Sequence, residues 1–247
     1  MRAYLSVLLM LLCVTLSASS QTADELVSKN IQARGGIEKI KAVQTYRATG
    51  KLTSGGRRAI TALVALDRMR PNLLRSEFTL QGMTRVRAYD GSTGWQIQPF
   101  QGNREPQLMG EDDLRDLTID ADIDGPLVDY KERGNRVEYL GHDTVDGDDA
   151  LRLKVTLKDG DIIYYYLDPD TYLEIRKETQ EFIRGSVKET VSDLGSYTPV
   201  NGVMYPFSIA SGPKNDPTQW QTITIEKIEV NVPIEHSQFA VPASLKK

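Results

Sequence analysis

The feature that most constrains the fold is an alternation of apolar and polar residues that recurs from residue 45 almost to the C-terminus. Residues 151–158, Leu-Arg-Leu-Lys-Val-Thr-Leu-Lys, show it most clearly. Successive side chains of a β-strand point to opposite faces, so this pattern predicts strands with one buried and one solvated face. The chain is therefore predicted to be mainly β, with a large antiparallel sheet.

Many segments of the chain carry this strand pattern. They are residues 44–52, 59–68, 73–80, 83–89, 94–100, 136–139, 150–158, 162–167, 173–182, 186–197, 203–211 and 222–232. Several of the connections contain glycine at a tight turn, as in Gln81-Gly82, Asp146-Gly147 and Asn201-Gly202. Such residues supply the positive φ that hairpins require, so a meander of about 11–12 antiparallel strands is predicted.

Two other segments carry helical patterns. The first covers residues 22–41, where Thr22 and Glu25 fit a capping box and Gly35-Gly36 separates a second short helix. The second covers residues 111–130, and Gly125-Pro126 is expected to divide it into two pieces. Both segments are amphipathic and need an apolar surface, which the sheet supplies.

The first twenty residues have the pattern of a signal peptide. Arg2 precedes an apolar run over residues 5–16, and small residues follow at 18–20. The run is too short for a membrane-spanning helix, and its flanks are those of a cleaved leader. We expect residues 1–20 to be removed after Ser20. Residues 21–247 would then form one exported domain without a transmembrane segment.

Composition argues against several classes of function. The only cysteine, Cys13, lies within the predicted leader, so the mature chain would have no disulfide, thiolate metal site or cysteine nucleophile. The formal net charge is −4 and no block of five or more basic residues occurs. Nucleic acid is therefore not a predicted partner.

The sequence contains no recognisable catalytic or metal-binding motif. His142 and His236 are the only histidines, and neither has a partner at metal-ligand spacing. The aspartates do not follow a calcium-loop pattern, and no Gly-x-Ser-x-Gly motif occurs. We therefore predict no enzyme, no metal and no cofactor. A carboxylate pair that is distant in sequence stays open, and Asp90, Glu111 and His142 are the residues to test for it.

The predicted strands supply more apolar face than two short helical segments can cover. A curved sheet in that situation often keeps a cavity that accepts lipid-like ligands. Strand parity alone places the following residues at such a cavity: Leu63, Phe78, Trp95, Leu153, Tyr165, Tyr205 and Phe207. For each position, a packed core is the alternative.

Several stretches of the chain also carry a family resemblance. They are Ala-Arg-Gly-Gly-Ile-Glu-Lys-Ile-Lys at 33–41, Thr-Tyr-Arg-Ala-Thr-Gly at 45–50, Tyr-x-x-Val-Asn-Gly-Val-Met-Tyr-Pro at 197–206, residues 225–231 and Phe-Ala-Val-Pro at 239–242. In these the chain resembles the bacterial outer-membrane lipoprotein-sorting proteins of the LolA/LolB superfamily. The resemblance implies a periplasmic protein with a strongly curved, unclosed half-barrel. Helices would plug its concave face, and an apolar cavity would hold acyl chains.

Three functions are compatible with this sequence. The first is a non-enzymatic periplasmic carrier or binder of lipid or lipoprotein acyl chains, linked to outer-membrane lipoprotein sorting, with envelope membrane proteins as further partners. The second is an envelope protein-interaction or assembly module with a filled core. The third is an enzyme, which would need a polar pocket with paired titratable groups. The first is our expectation.

Overall fold

The computed structural model describes residues 22–55, 59–183 and 185–245. The predicted signal peptide, residues 1–20, lies outside the described residues. The helices are α1 (Ala23–Ala33), α2 (Ile37–Ala42) and α3 (Glu111–Ala121). The strands are β1 (Thr45–Ser54), β2 (Thr61–Met69), β3 (Leu73–Leu80), β4 (Met83–Tyr89), β5 (Gly94–Gln98), β6 (Asn103–Leu108), β7 (Arg136–Val145), β8 (Asp148–Thr156), β9 (Ile162–Leu167), β10 (Glu174–Ile183), β11 (Ser186–Gly195), β12 (Thr198–Val200), β13 (Val203–Tyr205), β14 (Ser208–Pro213) and β15 (Gln221–Val230).

Thirteen of these strands form one antiparallel sheet in the order β6-β5-β4-β3-β2-β1-β15-β14-β11-β10-β9-β8-β7. Two hairpin meanders make up the flanks, and β15 and β14 join them in the middle. Within the described residues β6 and β7 are the two edges and do not pair with each other, so the sheet is not closed into a barrel. The predicted fold class, a mainly β unclosed half-barrel, is confirmed.

All three helices pack on one face of the sheet. Leu26 and Val27 of α1 lie in a buried cluster with Leu153 of β8 and Ile163 of β9. At the opposite flank Leu117 of α3 packs against β3 and β4 residues. The apolar stripe of each helix thus covers the apolar face of strands, as the sequence patterns required.

The N-terminal helical segment forms as predicted. The Thr22 hydroxyl accepts a hydrogen bond from the Glu25 amide at 3.2 Å, and the Glu25 carboxylate accepts one from the Thr22 amide at 3.0 Å, which completes the capping box. Gly35 adopts φ +120° between α1 and α2. A Cβ at this position would lie 2.1 Å from the Gly202 carbonyl oxygen, so only glycine allows this close approach.

The prediction for residues 111–130 was only partly right. Residues Glu111–Ala121 form α3, but the chain is extended at Asp122 and no second helix follows Gly125-Pro126. Gly125 adopts φ +83°, a left-handed conformation, and the proline after it has no amide hydrogen to donate. Residues 126–134 therefore form successive turns.

The sheet has 13 strands instead of the predicted 11–12, and several boundaries differ. The sequence pattern missed β6 because most of its side chains are polar and exposed. Residues 203–211 were predicted as one strand, but Pro206 separates β13 from β14, which belong to different sheets. Proline cannot donate to a strand ladder, which explains the break. The predicted glycine turns at Gly82, Gly147 and Gly202 all have positive φ.

Candidate functional site

The helix-covered face of the sheet is only partly filled. Between the core clusters lies a cavity of about 490 Å³. Its floor is formed mainly by residues of β1, β2, β3, β14 and β15, with further residues of β4, β9, β10 and β11 at its border. Its roof is formed by residues 119–126, residues 204–206 and Arg34. This volume lies within the range of about 300–1,000 Å³ that is typical of small-molecule sites.

Most of the floor of the cavity is apolar. The sheet contributes Leu52, Val64, Leu66, Ile223 and Ile225. These residues lie on the inward parity of their strands, so a ligand placed here would lose contact with water along much of its length. The floor is therefore suited to a hydrocarbon group.

Aromatic side chains border the same space. The rings of Tyr46 and Tyr205 lie 5.4 Å apart, centroid to centroid, and tilt against each other. Burial raises the pKa values of both phenols, that of Tyr205 to about 12. Burial also raises the pKa values of Tyr165 and Tyr197, and the Tyr197 hydroxyl donates to the Glu174 backbone oxygen at 2.8 Å. These phenols stay neutral at physiological pH and keep their hydroxyl hydrogens, and Tyr197 already donates its own to Glu174.

The roof is anchored by a buried ion pair. Arg70, just after β2, pairs with Asp124, whose side chain is only 4% exposed. Arg70 also donates to the Val43 carbonyl oxygen at 2.7 Å, beside the end of α2. Arg34 donates to the Asp124 carbonyl oxygen at 3.0 Å. The segment over the cavity is thus attached to the sheet and to both N-terminal helices.

Charged side chains also reach the cavity. They are Arg34, Arg68, Arg85, Asp120, Asp122, Glu174 and Lys177. Two of the acids already have partners: Asp122 pairs with Arg133, and Glu174 accepts a hydrogen bond from the Tyr197 hydroxyl at 3.1 Å. The cavity therefore combines a hydrocarbon floor with charged groups, an arrangement that fits an amphiphilic ligand better than a purely apolar one.

Three of the predicted cavity residues border this space: Phe78, Tyr165 and Tyr205. Leu153 is fully buried in the cluster under α1 and does not line the cavity. Phe207 is half-buried and packs against the cluster that contains Tyr46. The inward placement of Trp95 was wrong, because its register partners Ala88 and Arg75 face away from the cavity. Trp95 is buried on that opposite face, where its indole donates to the Phe239 carbonyl oxygen at 3.0 Å. The structure thus brings together only part of the predicted set.

The inward placement of Leu63 was wrong. Its side chain is 57% exposed, and it does not line the cavity. Its neighbours Ala62, which is buried, and Val64, which borders the cavity, face the interior instead. Because side chains alternate along a strand, an error of one residue in parity moves a side chain to the opposite face.

Sequence reasoning named no individual roof residue and missed the cavity arginines. Arg68 was not selected because it stands at the end of a predicted strand. It nevertheless shares the inward parity of Ala62, Val64 and Leu66. A charged residue at an otherwise apolar parity is the signal that could have identified it. Ile123 gave no comparable signal, because its position depends on the irregular chain after α3.

The residues named for a possible enzyme are not assembled at the cavity. Asp90, Glu111 and His142 are absent from its lining. His142 instead lies 3.0 Å from the Asp149 carboxylate on an exposed hairpin. In residues 22–55, 59–183 and 185–245, no group of three or more His, Cys, Asp or Glu side chains is arranged to hold a metal ion. Over the same ranges, no helix is long and apolar enough to cross a membrane.

Comparisons with known proteins show similarity in structure rather than in sequence. No protein-family model matches the chain, and no curated protein matches its sequence. A LolA superfamily protein from Nitrosomonas europaea superposes with a TM-score of 0.60 at 10% identity, covering 90% of this chain and 99% of the other. A DUF1329 family protein from Desulfovibrio piger gives 0.60 at 11% identity, covering 90% and 98%.

A third solved structure agrees with these two. An outer membrane lipoprotein-sorting protein domain from Vibrio parahaemolyticus gives a TM-score of 0.59 at 11% identity, covering 87% of this chain and 94% of the other. At such identities the similarity concerns the fold alone. The antiparallel sheet left open at β6 and β7, with its helices on one face, is a LolA-like fold.

Proposed function

We propose that this protein is a non-enzymatic carrier or binder of a lipid or lipoprotein acyl chain, exported to the periplasm and linked to outer-membrane lipoprotein sorting. The observation that carries the proposal is the cavity of about 490 Å³ with its apolar floor. Each methylene group buried there would contribute about 0.8 kcal/mol to binding. The LolA-like fold and the similarity to a lipoprotein-sorting domain support the same function.

The entry route follows from the construction of the roof. Ile119, Ile123 and Pro126 cover the cavity. Side-chain hydrogen bonds from Arg70 to Asp124 join their segment to the end of β2. A ligand would pass between this roof and the strands, and movement of residues 119–126 would control its entry. Segments with few backbone ladder bonds open at a lower free-energy cost than the sheet does.

The cavity also bears on the alternative function. A protein-interaction module needs no internal space, and its inner face would be filled by side chains. Here core clusters fill the two flanks of that face and one end of the central strands β1 and β15, while the space beside them stays open. The open space therefore favours the binding function over the envelope assembly module.

Two neighbouring residues of β2 provide a matched test. Val64→Trp places a large ring in the cavity, whereas Leu63→Trp places the same ring on the exposed face. We expect Val64→Trp to weaken binding of a fluorescent fatty-acyl probe by at least about tenfold, because the ring displaces several methylene groups. Leu63→Trp should bind like the unmodified protein.

Native mass spectrometry of the chain exported to the periplasm gives an independent test. We expect a lipid to remain bound through purification and to be lost from Val64→Trp. Absence of any bound lipid, together with equal probe binding by both tryptophan variants, would contradict the proposal. Recovery of a crosslinked protein partner without lipid would favour the assembly module instead.

A further inference from the structure

One arginine at the cavity has an unsatisfied buried donor. Arg68 is half-buried on β2, and its Nε atom is buried without a hydrogen-bond partner among the described residues. Its guanidinium carbon lies 5.4 Å from the centroid of the Tyr46 ring. Buried donors in native proteins are nearly always hydrogen-bonded, so an unsatisfied one beside a cavity points to a missing acceptor.

The carboxylates at this end of the cavity are already engaged. Asp124 pairs with Arg70 and Arg133, and Asp122 also pairs with Arg133. Within the part of the chain that the structure describes, no ion pair joins Arg34 or Arg68 to a carboxylate. Neither guanidinium is therefore held in an ion pair within that part, although Asp120 and Glu174 line the same cavity.

Arg34 and Arg68 converge on one place. Both line the cavity together with Tyr205. The Arg68 guanidinium carbon lies 5.4 Å from the centroid of the Tyr46 ring, which lies 5.4 Å from that of the Tyr205 ring. Arg34 donates to the Asp124 carbonyl oxygen in the roof at 3.0 Å. Apolar residues such as Val64 and Ile225 line the space beyond them.

We infer that the ligand of this cavity is an amphiphile with an anionic headgroup, a carboxylate or a phosphate, bound by Arg68 with Arg34 beside it. This inference rests on the proposed function and specifies the class of its ligand. The planar guanidinium matches the oxygens of a carboxylate or phosphate, and both partners are charged, which strengthens the hydrogen bonds. The hydrocarbon tail would lie along the apolar floor.

A second cavity arginine serves as an internal comparison. Arg85 on β4 is paired with Phe78 of β3, and Phe78 is paired with Val64 of β2. Arg85 is therefore level with Val64, and Arg68 lies four residues further along β2. At about 3.3 Å per residue, the two positions are separated by roughly 13 Å along the strands. Arg85 stacks on the Phe78 ring, with its guanidinium carbon 5.0 Å from the ring centroid. It should therefore contribute less to the headgroup site.

The test uses three probes with the same tail: dodecanoate, dodecyl phosphate and dodecanol. Each probe competes with a fluorescently labelled fatty alcohol for binding to the full exported chain. We expect one or both anions to bind at least about tenfold more tightly than the alcohol, since hydrogen bonds to charged groups are the strong ones. A preference for dodecanoate would identify a carboxylate headgroup, and a preference for dodecyl phosphate a phosphate.

Substitutions then locate the headgroup. Arg68→Met should reduce the anion preference about tenfold while dodecanol binds as before, a result that mere loss of stability would not produce. Arg85→Met should have a smaller effect, and Arg136→Met, at a side chain that is 75% exposed, none. If Arg68→Met does not fold, Arg68→Lys should still weaken anion binding several-fold, because lysine keeps the charge but not the planar donors.

The outcomes separate the two proposals. If no probe binds, the proposed function itself fails. If all three probes bind equally and Arg68→Met changes nothing, the acyl-binding function stands and the anionic headgroup is overturned. A loss of anion preference in Arg85→Met but not in Arg68→Met would overturn the assignment to Arg68.

Discussion

At the scale of single residues, Tyr205 connects packing with pH dependence. Burial raises the pKa of its phenol to about 12, from the ordinary value of 10.0. Above pH 10 an unfolded chain loses this proton while the folded chain keeps it. The folded state then binds more protons than the unfolded state, so its stability must fall as the pH rises.

We therefore expect the free energy of unfolding to decrease between about pH 10 and about pH 12, by about 1.4 kcal/mol per pH unit for each tyrosine of this kind. In Tyr205→Phe the free energy of unfolding should decrease less steeply with pH, by the share of one titrating phenol. Urea denaturation followed at several pH values measures the effect. An unchanged slope in Tyr205→Phe would show that the phenol is not held neutral by burial.

At the scale of elements, one ion pair joins the end of β2, the roof of the cavity and the end of α2. Arg70 follows β2, Asp124 lies in the roof, and Arg70 also donates to the Ile40 and Val43 carbonyl oxygens of α2 and the residue after it. The Asp124 side chain is almost fully buried. Removing one partner of such a pair leaves an uncompensated buried charge, which is costly.

Asp124→Asn should destabilise the protein by roughly 3 kcal/mol, because the Arg70 guanidinium, on a side chain that is 24% exposed, loses its carboxylate. The matched control is Glu226→Gln, which breaks the pair with Lys51, where both side chains are about half exposed. It should cost about 1 kcal/mol or less. Chemical denaturation of both variants makes the comparison, and equal losses would mean that the roof pair does not hold the elements together.

At the scale of the whole molecule, the open sheet has two edges to protect. The β6 edge carries Pro106 and charged neighbours, which resist pairing with another chain. Close to this flank, the C-terminal segment packs onto the sheet through Phe239, which is fully buried. The β6 edge is therefore protected against pairing with another chain, while the inner face of the sheet keeps an accessible space.

A ligand inside that space should stabilise the entire fold. At a concentration 100 times its dissociation constant, a ligand bound only to the folded state adds about 2.7 kcal/mol. Dodecanoate should therefore raise the midpoint of thermal unfolding of the unmodified protein and of Leu63→Trp, but not that of Val64→Trp. Equal shifts in the two tryptophan variants would place the ligand outside the cavity.

Local patterns were sufficient for part of this architecture. The Thr22–Glu25 capping box and the turn at Gly147 depend on residues a few positions apart, and both formed as predicted. Predictions failed where contacts between residues distant in sequence determine the local structure. The polar strand β6 exists because β5 lies beside it, and the parity of Leu63 follows from pairing with β1 and β3.

The alternation of apolar and polar residues, with glycine at the turns, was enough to predict a mainly β chain of antiparallel hairpins, because both are properties of neighbouring residues. Tertiary contacts alone decided that β1 pairs with β15, whose partner residues lie 167–184 positions further along the chain, and that the sheet stays open at β6 and β7. They also decided that the roof leaves a cavity with Arg68 at its wall. A cavity is space that segments distant in sequence leave unfilled, so no local sequence pattern predicts it.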